Sequence, residues 1–377
     1  MLLIFILLFI LIIILIALLI LLPVAGKDYQ TQLVPPVDSG WGGRYHAAVL
    51  LSALSNSSSP SEIAVMRPVL ALMLCAVVGL VVASSARADV GLKKTDGGVE
   101  VTLDGQPFAT YVFNSGFKPI IWPILGPTGK EMTRAWPLRK DDPTEKTDHV
   151  HQKSFWFDHG NVNGIDFWAE TSKEQGKQVQ TELVKAEGGK VGTIITKNDW
   201  VGPDGAKLLS DVRTVRFGGD KDTRFIDFDV VVTAVGDQVT FGDTKEGSFG
   251  VRVNESMKVE RKTGGKIISS EGLEDEKAWG KPAPWVDYYG PIQNETLGIA
   301  ILNHPSSFRY PTHWHVRPYG LFAANPWGLH DFTGGKEHSD YTMKKGDSFK
   351  LRYRVIFHKG NEKDGKIAEA FANYTKE

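Results

Sequence analysis

The feature that most constrains the fold is the regular alternation of apolar and polar residues after residue 89. From Phe349 to Phe357 every second residue is apolar, and Lys350, Arg352 and Arg354 stand between them. Such a pattern places one face of a strand on a core and the other toward solvent or a second sheet. Glycine-containing turns separate similar runs, which occur at 98–103, 107–113, 178–186, 190–200, 207–217, 226–232 and 296–303. Many strands separated by turns predict an all-β sandwich or barrel.

One helix is expected at the carboxyl end of the chain. The residues after Asp364-Gly365 carry an apolar stripe at helical spacing, formed by Ile367, Ala368, Ala370, Phe371 and Tyr374. No further linker or repeat interrupts the strand pattern. Residues 89–377 are therefore expected to form a single large β domain with a C-terminal helix.

The amino-terminal part has a different character. Residues 2–22 contain no polar side chain and are long enough to cross a bilayer. A second apolar run, 68–83, follows Met66-Arg67 and leads to an A-x-A ending at Ala88, which is the pattern of a secretory signal peptide over 66–88. Either Met66 is the true start and 1–65 is upstream sequence translated in error, or 2–22 is a membrane anchor followed by a linker. In both cases we expect an exported domain, periplasmic or extracellular, with membrane association through 2–22 in the second.

Composition excludes several classes of function. The only cysteine, Cys75, lies in the second apolar run, so the exported part can form neither a disulfide nor a thiolate metal site. The net charge is −1 and no block of basic residues occurs, which argues against nucleic acid as a partner. No nucleotide-binding glycine motif and no G-x-S-x-G motif is present.

Histidines mark a site. Eight of the ten histidines lie in two windows, 139–168 and 304–338, beside Trp, Arg, Asp and Asn residues. Imidazole ligates metals and relays protons, so this clustering indicates a polar pocket that the two windows line together. We expect a small-molecule or oligosaccharide ligand there.

Each window contains a His-x-His pair. His149 and His151 would point the same way on an extended strand, as would His313 and His315. Arg317 and Tyr319 share the parity of the second pair, and Pro318 favours an edge strand. Arg317 could clamp an anion or a hydroxyl, or it could form a structural salt bridge.

These patterns give a set of candidate residues. The catalytic candidates are His149, His159, Glu255 and His315. The substrate-binding candidates are Arg139, His151, Trp156, Asn163, Asp166, Trp168, His313, Arg317, Tyr319 and Asn325. No cofactor is expected; the alternative is a divalent metal held by His149, His151, His313 and His315.

Several candidates have a structural alternative. Phe157 and Phe167 are expected in the core, and Trp156 and Trp168 could either join them or offer a flat face to a sugar. Glu255 lies between apolar positions, where a structural ion pair is the simplest explanation. Asn325 could instead cap a turn.

Several motifs together resemble one family. Residues 123–130, Arg139-Lys140, 147–168 and 314–328 are similar to the exported bacterial family labelled "PmoA", or methane oxygenase PmoA. That family has D-H-P-H-H where this chain has Asp148-His149-Val150-His151-Gln152, so a site of three imidazoles is in doubt. The methane monooxygenase subunit of the same name spans the membrane many times, whereas the apolar runs here all precede residue 89, which argues against methane oxidation.

The resemblance implies a β-supersandwich similar to galactose mutarotases. In such folds a histidine and a carboxylate on the concave sheet handle the ring oxygen and anomeric hydroxyl of a sugar. No residue here matches a mutarotase motif closely enough to take over those roles, and the family itself has no established activity.

Three functions remain open at this point. The first is a carbohydrate-binding or carbohydrate-acting protein, similar to an epimerase or mutarotase, with His149 or His159 as acid and Glu255 as base. The second is a metal-dependent enzyme that uses the His-x-His pairs. The third is a noncatalytic envelope or carbohydrate-binding module.

Overall fold

The computed structural model describes residues 89–377, so the apolar runs, Cys75 and the expected signal peptide lie outside the described residues. Within 89–377 no helix is long and apolar enough to span a membrane. The strands are β1 (Val90–Lys94), β2 (Gly98–Leu103), β3 (Gln106–Val112), β4 (Ile120–Ile124), β5 (Phe155–His159), β6 (Lys177–Glu187), β7 (Gly192–Val201), β8 (Lys207–Gly219), β9 (Thr223–Ala234), β10 (Gln238–Phe241), β11 (Gly247–Arg252), β12 (Lys266–Ser269), β13 (Trp285–Ile292), β14 (Glu295–Asn303), β15 (His313–Val316), β16 (Leu321–Asn325), β17 (Tyr341–Lys344) and β18 (Ser348–Lys359). Two short α-helices, α1 (Leu329–Thr333) and α2 (Ile367–Tyr374), and three 3-10 turns (Glu255–Met257, Val259–Arg261 and Asp275–Ala278) complete the set.

Most strands belong to two eight-stranded antiparallel sheets. The first sheet has the order β1-β2-β3-β4-β5-β11-β16-β15, and the second has the order β12-β13-β14-β18-β9-β8-β7-β6. A separate ribbon pairs β10 with β17. This arrangement confirms the predicted all-β sandwich with a C-terminal helix.

The core lies between the two sheets because alternate side chains of each strand point inward. On β5 the inward residues are Phe155 and Phe157, and on β11 they include Phe249. The Phe249 ring stacks on Tyr353 of β18 with 4.5 Å between centroids, which joins the two sheets. Each fully buried side chain of this size contributes about 1.5–3 kcal/mol of burial energy.

Helix α2 covers part of the outer face of the second sheet. Its apolar residues Ile367 and Tyr374 pack on a cluster of outward side chains that is separate from the core, formed by Trp285, Ala300, Leu302 and Ile356. The last turn of the chain is fixed by ion pairs from Arg354 to Asp227 and to Glu377.

The outer face of the first sheet carries the predicted site residues Trp156, His313 and His315 on its strands. The strand register places Trp156, Gly250, Ala323 and His315 side by side on β5, β11, β16 and β15. Gly250 and Ala323 occupy the two central positions, so only a hydrogen atom and a methyl group stand above the sheet there. A Cβ on Gly250 would lie 2.5 Å from the Trp156 ring, so glycine is required for the indole to lie across the strand.

Candidate functional site

The two histidine-rich windows meet at one aromatic contact. The imidazole of His149 stacks on the phenol ring of Tyr319, with centroids 5.3 Å apart and planes inclined by 10°. The Arg252 guanidinium lies 4.8 Å from the centroid of the same Tyr319 ring. The two windows therefore contact each other here, and the polar pocket that they were expected to line together stays a prediction.

His149 is oriented by a carboxylate. Its Nδ1 lies 3.2 Å from Oδ1 of Asp148, and that oxygen also accepts a 2.7 Å bond from Nη1 of Arg134. Arg134 is enclosed, and it donates further bonds to the backbone carbonyls of Asp148 and His149. Partial burial opposes ionisation of Asp148, but the hydrogen bonds from Arg134 and His149 outweigh it and lower its pKa to about 2. The carboxylate is thus ionised at neutral pH.

The first His-x-His pair is not extended. The backbone of His149 has φ 44°, and a turn follows at 150–151, so the prediction of two parallel imidazoles on a strand is wrong. The two rings are nevertheless 5.8 Å apart at an angle of 74°. His151 packs at 6.0 Å from Trp168, and burial, together with the nearby charge of Lys118, lowers its pKa to about 3.

The second pair lies on the edge strand β15, as the neighbouring proline predicted. His313 and His315 both face outward, and the turn over 317–320, with Pro318 in its second position, connects β15 to β16. Because the strand ends at Val316, Arg317 and Tyr319 project from that turn and not from an extended strand.

His315 is held in one tautomer. Its Nδ1 donates a 2.7 Å hydrogen bond to the carbonyl of Lys245, which leaves Nε2 as an acceptor with no hydrogen-bond partner in the described part of the chain. Burial lowers its pKa to about 4, so the ring is neutral at physiological pH. Trp279 and Phe332 enclose the ring at 6.4 and 6.3 Å.

Arg317 has no carboxylate partner. Its guanidinium lies 5.5 Å from the centroid of the Trp279 ring, and within residues 89–377 no acidic side chain makes an ion pair with it. The alternative of a structural salt bridge is therefore not realised. Trp279, which sequence reasoning missed, follows a 3-10 turn far from both windows and carries no recognisable local signal.

His159 is corrected to a structural residue. It shares the inward parity of Phe155 and Phe157 on β5, is fully buried, and packs on Phe241 and Trp327 in the core. Its Nε2 bonds the carbonyl of Gly242 at 2.9 Å. An imidazole on that side of the sheet cannot reach a ligand on the outer face, so the predicted catalytic role is wrong.

Five other candidates stabilise loops and ion pairs. The carboxylate of Glu255 pairs with Lys258 at 2.6 Å, and Arg139 forms a bidentate pair with Glu131. The remaining three bond to backbone groups near them, and their contact with a ligand stays a prediction; they are Asn163 (to Gln238 and Thr240), Asp166 (to Trp168 and Ala169) and Asn325 (to Thr244, Lys245 and Trp327).

The two tryptophans that could have offered a flat face are enclosed. Trp156 and Trp168 are 1% and 2% exposed and pack on each other at 5.4 Å. They belong to an apolar cluster on the outer face of the first sheet, together with Ile120, Leu321 and Ala323, and do not present a ring to solvent. Phe157 and Phe167 are buried as expected.

A buried cluster of charged side chains lies beside these two tryptophans. Lys118 bonds Asp158 at 2.6 Å and lies 3.3 Å from Glu170, which also pairs with Lys153. Burial raises the pKa of Asp158 to about 7 despite the neighbouring ammonium. Sequence reasoning missed Lys118 and Lys153, although the shared parity of Trp156 and Asp158 on β5 was a usable signal that this carboxylate faces outward.

The structure does not unite the four histidines of the metal hypothesis. Among residues 89–377 no group of three or more His, Cys, Asp or Glu side chains is placed to hold a metal ion. A groove of about 260 Å³ lies at Phe113, Asn114, Gly116 and 177–180, and it includes none of the predicted site residues. The candidate site is therefore the surface formed by His149, Tyr319, Arg317, Trp279 and His315, which we call the aromatic strip.

The family of the chain follows from comparison with known families. Residues 98–372 match the family described as "Family of unknown function (DUF6807)", and the chain belongs to that family. A comparison with curated proteins found no match. The resemblance to the PmoA family stays a prediction.

The solved structures that are similar to this chain match it with low TM-scores. They include a GH36 alpha-galactosidase, AgaB, from Geobacillus stearothermophilus (10% identity, 73% of this chain, 39% of that chain, TM-score 0.33). A heparan sulfate lyase HepC mutant from Pedobacter heparinus (10%, 74%, 36%, 0.29) and the Slr1438 protein from Synechocystis sp. PCC 6803 (10%, 73%, 96%, 0.29) also match. This chain spans less than half of the length of the first two.

Proposed function

We propose that the protein binds a carbohydrate on the aromatic strip and transfers protons at a sugar hydroxyl. The observation that carries this proposal is the contact of Asp148, His149 and Tyr319. A carboxylate fixes one nitrogen of an imidazole that is 39% exposed, and an aromatic ring fixes the plane of that imidazole.

The chemistry follows from the bonds of His149. When Nδ1 donates to Asp148, Nε2 carries the free lone pair and can accept a proton from a sugar hydroxyl. Asp148 then stabilises the imidazolium, because it is ionised and held by Arg134. For a reducing sugar, Nε2 of His149 takes the proton of the anomeric hydroxyl, C1 becomes a carbonyl, and the bond from C1 to the ring oxygen breaks. The ring oxygen takes a proton from a water molecule, and the imidazolium returns its proton to the hydroxide that remains. Ring opening and closure would interconvert the two anomers.

Mutarotation and binding are measured together to test this. The purified protein is titrated calorimetrically with a panel of mono- and oligosaccharides, and the anomeric conversion of reducing sugars is followed by polarimetry. We expect His149→Ala to lower turnover by about 100-fold, within the usual contribution of a general acid/base. The matched control is His338→Ala, since His338 is an exposed imidazole packed on His330.

A noncatalytic binding module is the second candidate. It is favoured by the loss of His159 and Glu255 from the site, which leaves His149 and His315 as the predicted catalytic residues there and no carboxylate among them. Sugar binding that weakens in His149→Ala, with no turnover of any sugar by the unchanged protein, would establish this alternative. If no sugar binds at all, both versions of the proposal are wrong.

A further inference from the structure

The region around the proposed dyad contains more cations than anions. Arg134 and Arg252 are both fully enclosed, and within residues 89–377 the only carboxylate that pairs with either is Asp148, at 2.7 and 3.5 Å. Nη1 of Arg252 donates to the amide oxygen of Gln152, and among the described residues its Nε and Nη2 have no hydrogen-bond partner. A buried guanidinium that shares its one carboxylate with a second guanidinium creates a positive potential that nearby surface groups feel.

Three of the neighbouring carboxylates are paired with lysines and do not cancel this charge, whereas Asp331 accepts a bond from the backbone N–H of Lys245. Glu255 pairs with Lys258 at 2.6 Å, and Glu260 pairs with Lys146 at 2.7 Å. Glu246, the acidic side chain closest in sequence to the His315 contact at Lys245, pairs with Lys245 at 3.3 Å.

Arg317 adds a third cation, and this one is accessible. It is partly exposed, lies over the half-buried Trp279 ring, and has no acidic partner in the part of the chain that the structure describes. Nearby, Nε2 of His315 is a neutral acceptor without a partner. These three side chains combine a planar fork for anionic oxygens, a flat apolar face and a hydroxyl acceptor.

We infer that the carbohydrate bound on the aromatic strip is anionic, and that Arg317 binds its charged group, a carboxylate or a sulfate ester. The inference rests on the proposed function and specifies its substrate class. The sugar ring would lie against Trp279, one of its hydroxyls would donate to Nε2 of His315, and the turn at 317–320 would direct the neighbouring part of the ligand to His149. Both kinds of charged group offer the oxygen pair that a guanidinium binds.

Oligosaccharides that differ only in charge provide the test. The purified protein is titrated with oligogalacturonides and with the same oligomers after carboxyl reduction, which keeps the backbone and linkage and removes the charge. A sulfated galactan oligosaccharide and its desulfated counterpart form the second arm and distinguish sulfate from carboxylate. We expect the charged member of at least one pair to bind at least tenfold more tightly, and the preference to weaken with added salt.

Variants of Arg317 assign the preference to this residue. Arg317→Gln should remove most of the charge preference while leaving the affinity for the neutral oligomer within about threefold. Arg317→Lys should restore part of it, since the charge returns without the planar fork. The matched control is Arg261→Gln, because Arg261 is an exposed arginine that contacts only the backbone carbonyl of Glu255.

The possible failures are distinguishable. Equal binding of charged and neutral oligomers, lost in His149→Ala, would overturn the anionic substrate and leave the proposed function intact. A charge preference that persists in Arg317→Gln would overturn the role of Arg317. Absence of binding to every oligomer would overturn the proposed function and this inference together.

Discussion

His149 and Tyr319 stack with 5.3 Å between their ring centroids, and this contact joins two segments that lie far apart along the chain. One is the loop that Arg134 holds through its carbonyls, and the other is the tight turn between β15 and β16. Each ring limits the rotamers of the other. The orientation of the proposed general base therefore depends on a residue from the second window.

The stack should be measurable as a coupling energy. In a double-mutant cycle of His149→Ala and Tyr319→Ala, we expect a coupling of about 0.5–1.5 kcal/mol in the free energy of urea unfolding, which is typical of aromatic pairs. Tyr319→Phe keeps the ring and should retain most of it. Strictly additive effects of the two alanine substitutions would show that the contact is energetically neutral.

Asp148→Asn should affect both activity and stability. The amide cannot stabilise an imidazolium, so we expect turnover to fall by about 10- to 100-fold with a smaller change in sugar affinity. The enclosed Arg134 also loses its ionic partner, which should cost about 1–2 kcal/mol, less than for a fully buried pair because Asp148 is 39% exposed.

The control for this change is Asp141→Asn. It removes the same charge from a side chain that is 64% exposed and pairs with Arg139 at the surface. We expect less than 0.5 kcal/mol of destabilisation and unchanged turnover. An equal loss of turnover in both variants would point to a general effect of charge and not to the dyad.

The strands could be predicted because their signal is local. Alternation identified eight strands without knowledge of their partners, namely β2, β3, β6, β7, β8, β9, β14 and β18. The helical spacing of apolar residues identified α2 in the same way. The same alternation would have assigned His159 correctly, since it falls in register with Phe155 and Phe157 on β5. The chemistry of imidazole favours a catalytic role for this histidine, whereas its position on the same face of the strand as two phenylalanines favours the core.

The rest of the site depends on contacts that no local pattern contains. His149 has a positive φ, and its carbonyl and that of residue 148 accept bonds from Arg134, which lies 15 residues earlier in the same connection between β4 and β5. Lys118 meets Asp158 because β4 lies beside β5 in the first sheet, and Trp279 reaches Arg317 from the connection between β12 and β13 of the second sheet. Residue type indicated the region of the site, but only the tertiary fold decides which rings and charges face each other.

Acidification should destabilise the protein below about pH 6.5. Burial lowers the pKa of His159 and His315 to about 4 and that of His151 to about 3, so the unfolded chain binds protons that the folded chain excludes as the pH falls from 6.5 toward 4. Asp158 acts in the opposite direction, because its pKa is raised to about 7 and the folded state holds its proton in the same range. Burial also lowers the pKa of His304 and His313 and raises that of Asp227, so five groups against two give a net loss of stability.

The contribution of one histidine can be isolated from this total. His159→Gln removes the titration, and the slope of unfolding free energy against pH between 6 and 4.5 should decrease by about 1.4 kcal/mol per pH unit. His338→Gln, at an exposed position, should leave the slope unchanged. An unaltered slope in His159→Gln would mean that the buried ring takes up a proton without opposing the fold.

Removing one partner of the ion pair between Lys118 and Asp158 should lower the free energy of unfolding more than replacing both partners by neutral residues. Both side chains are at most 1% exposed, so Lys118→Met leaves a buried carboxylate without its nearest cation and should cost about 3–5 kcal/mol in urea unfolding at pH 7.5. The double variant Lys118→Met, Asp158→Asn removes both charges and should recover at least 1 kcal/mol of that loss. The cost of the single variant should also be smaller at pH 5, because a carboxyl with a raised pKa can take up a proton there. The single variant Asp158→Asn completes the cycle. If the free energies of unfolding lost in the two single variants simply add in the double variant, and if the loss in Lys118→Met is the same at pH 5 and pH 7.5, then the two groups do not act as a pair.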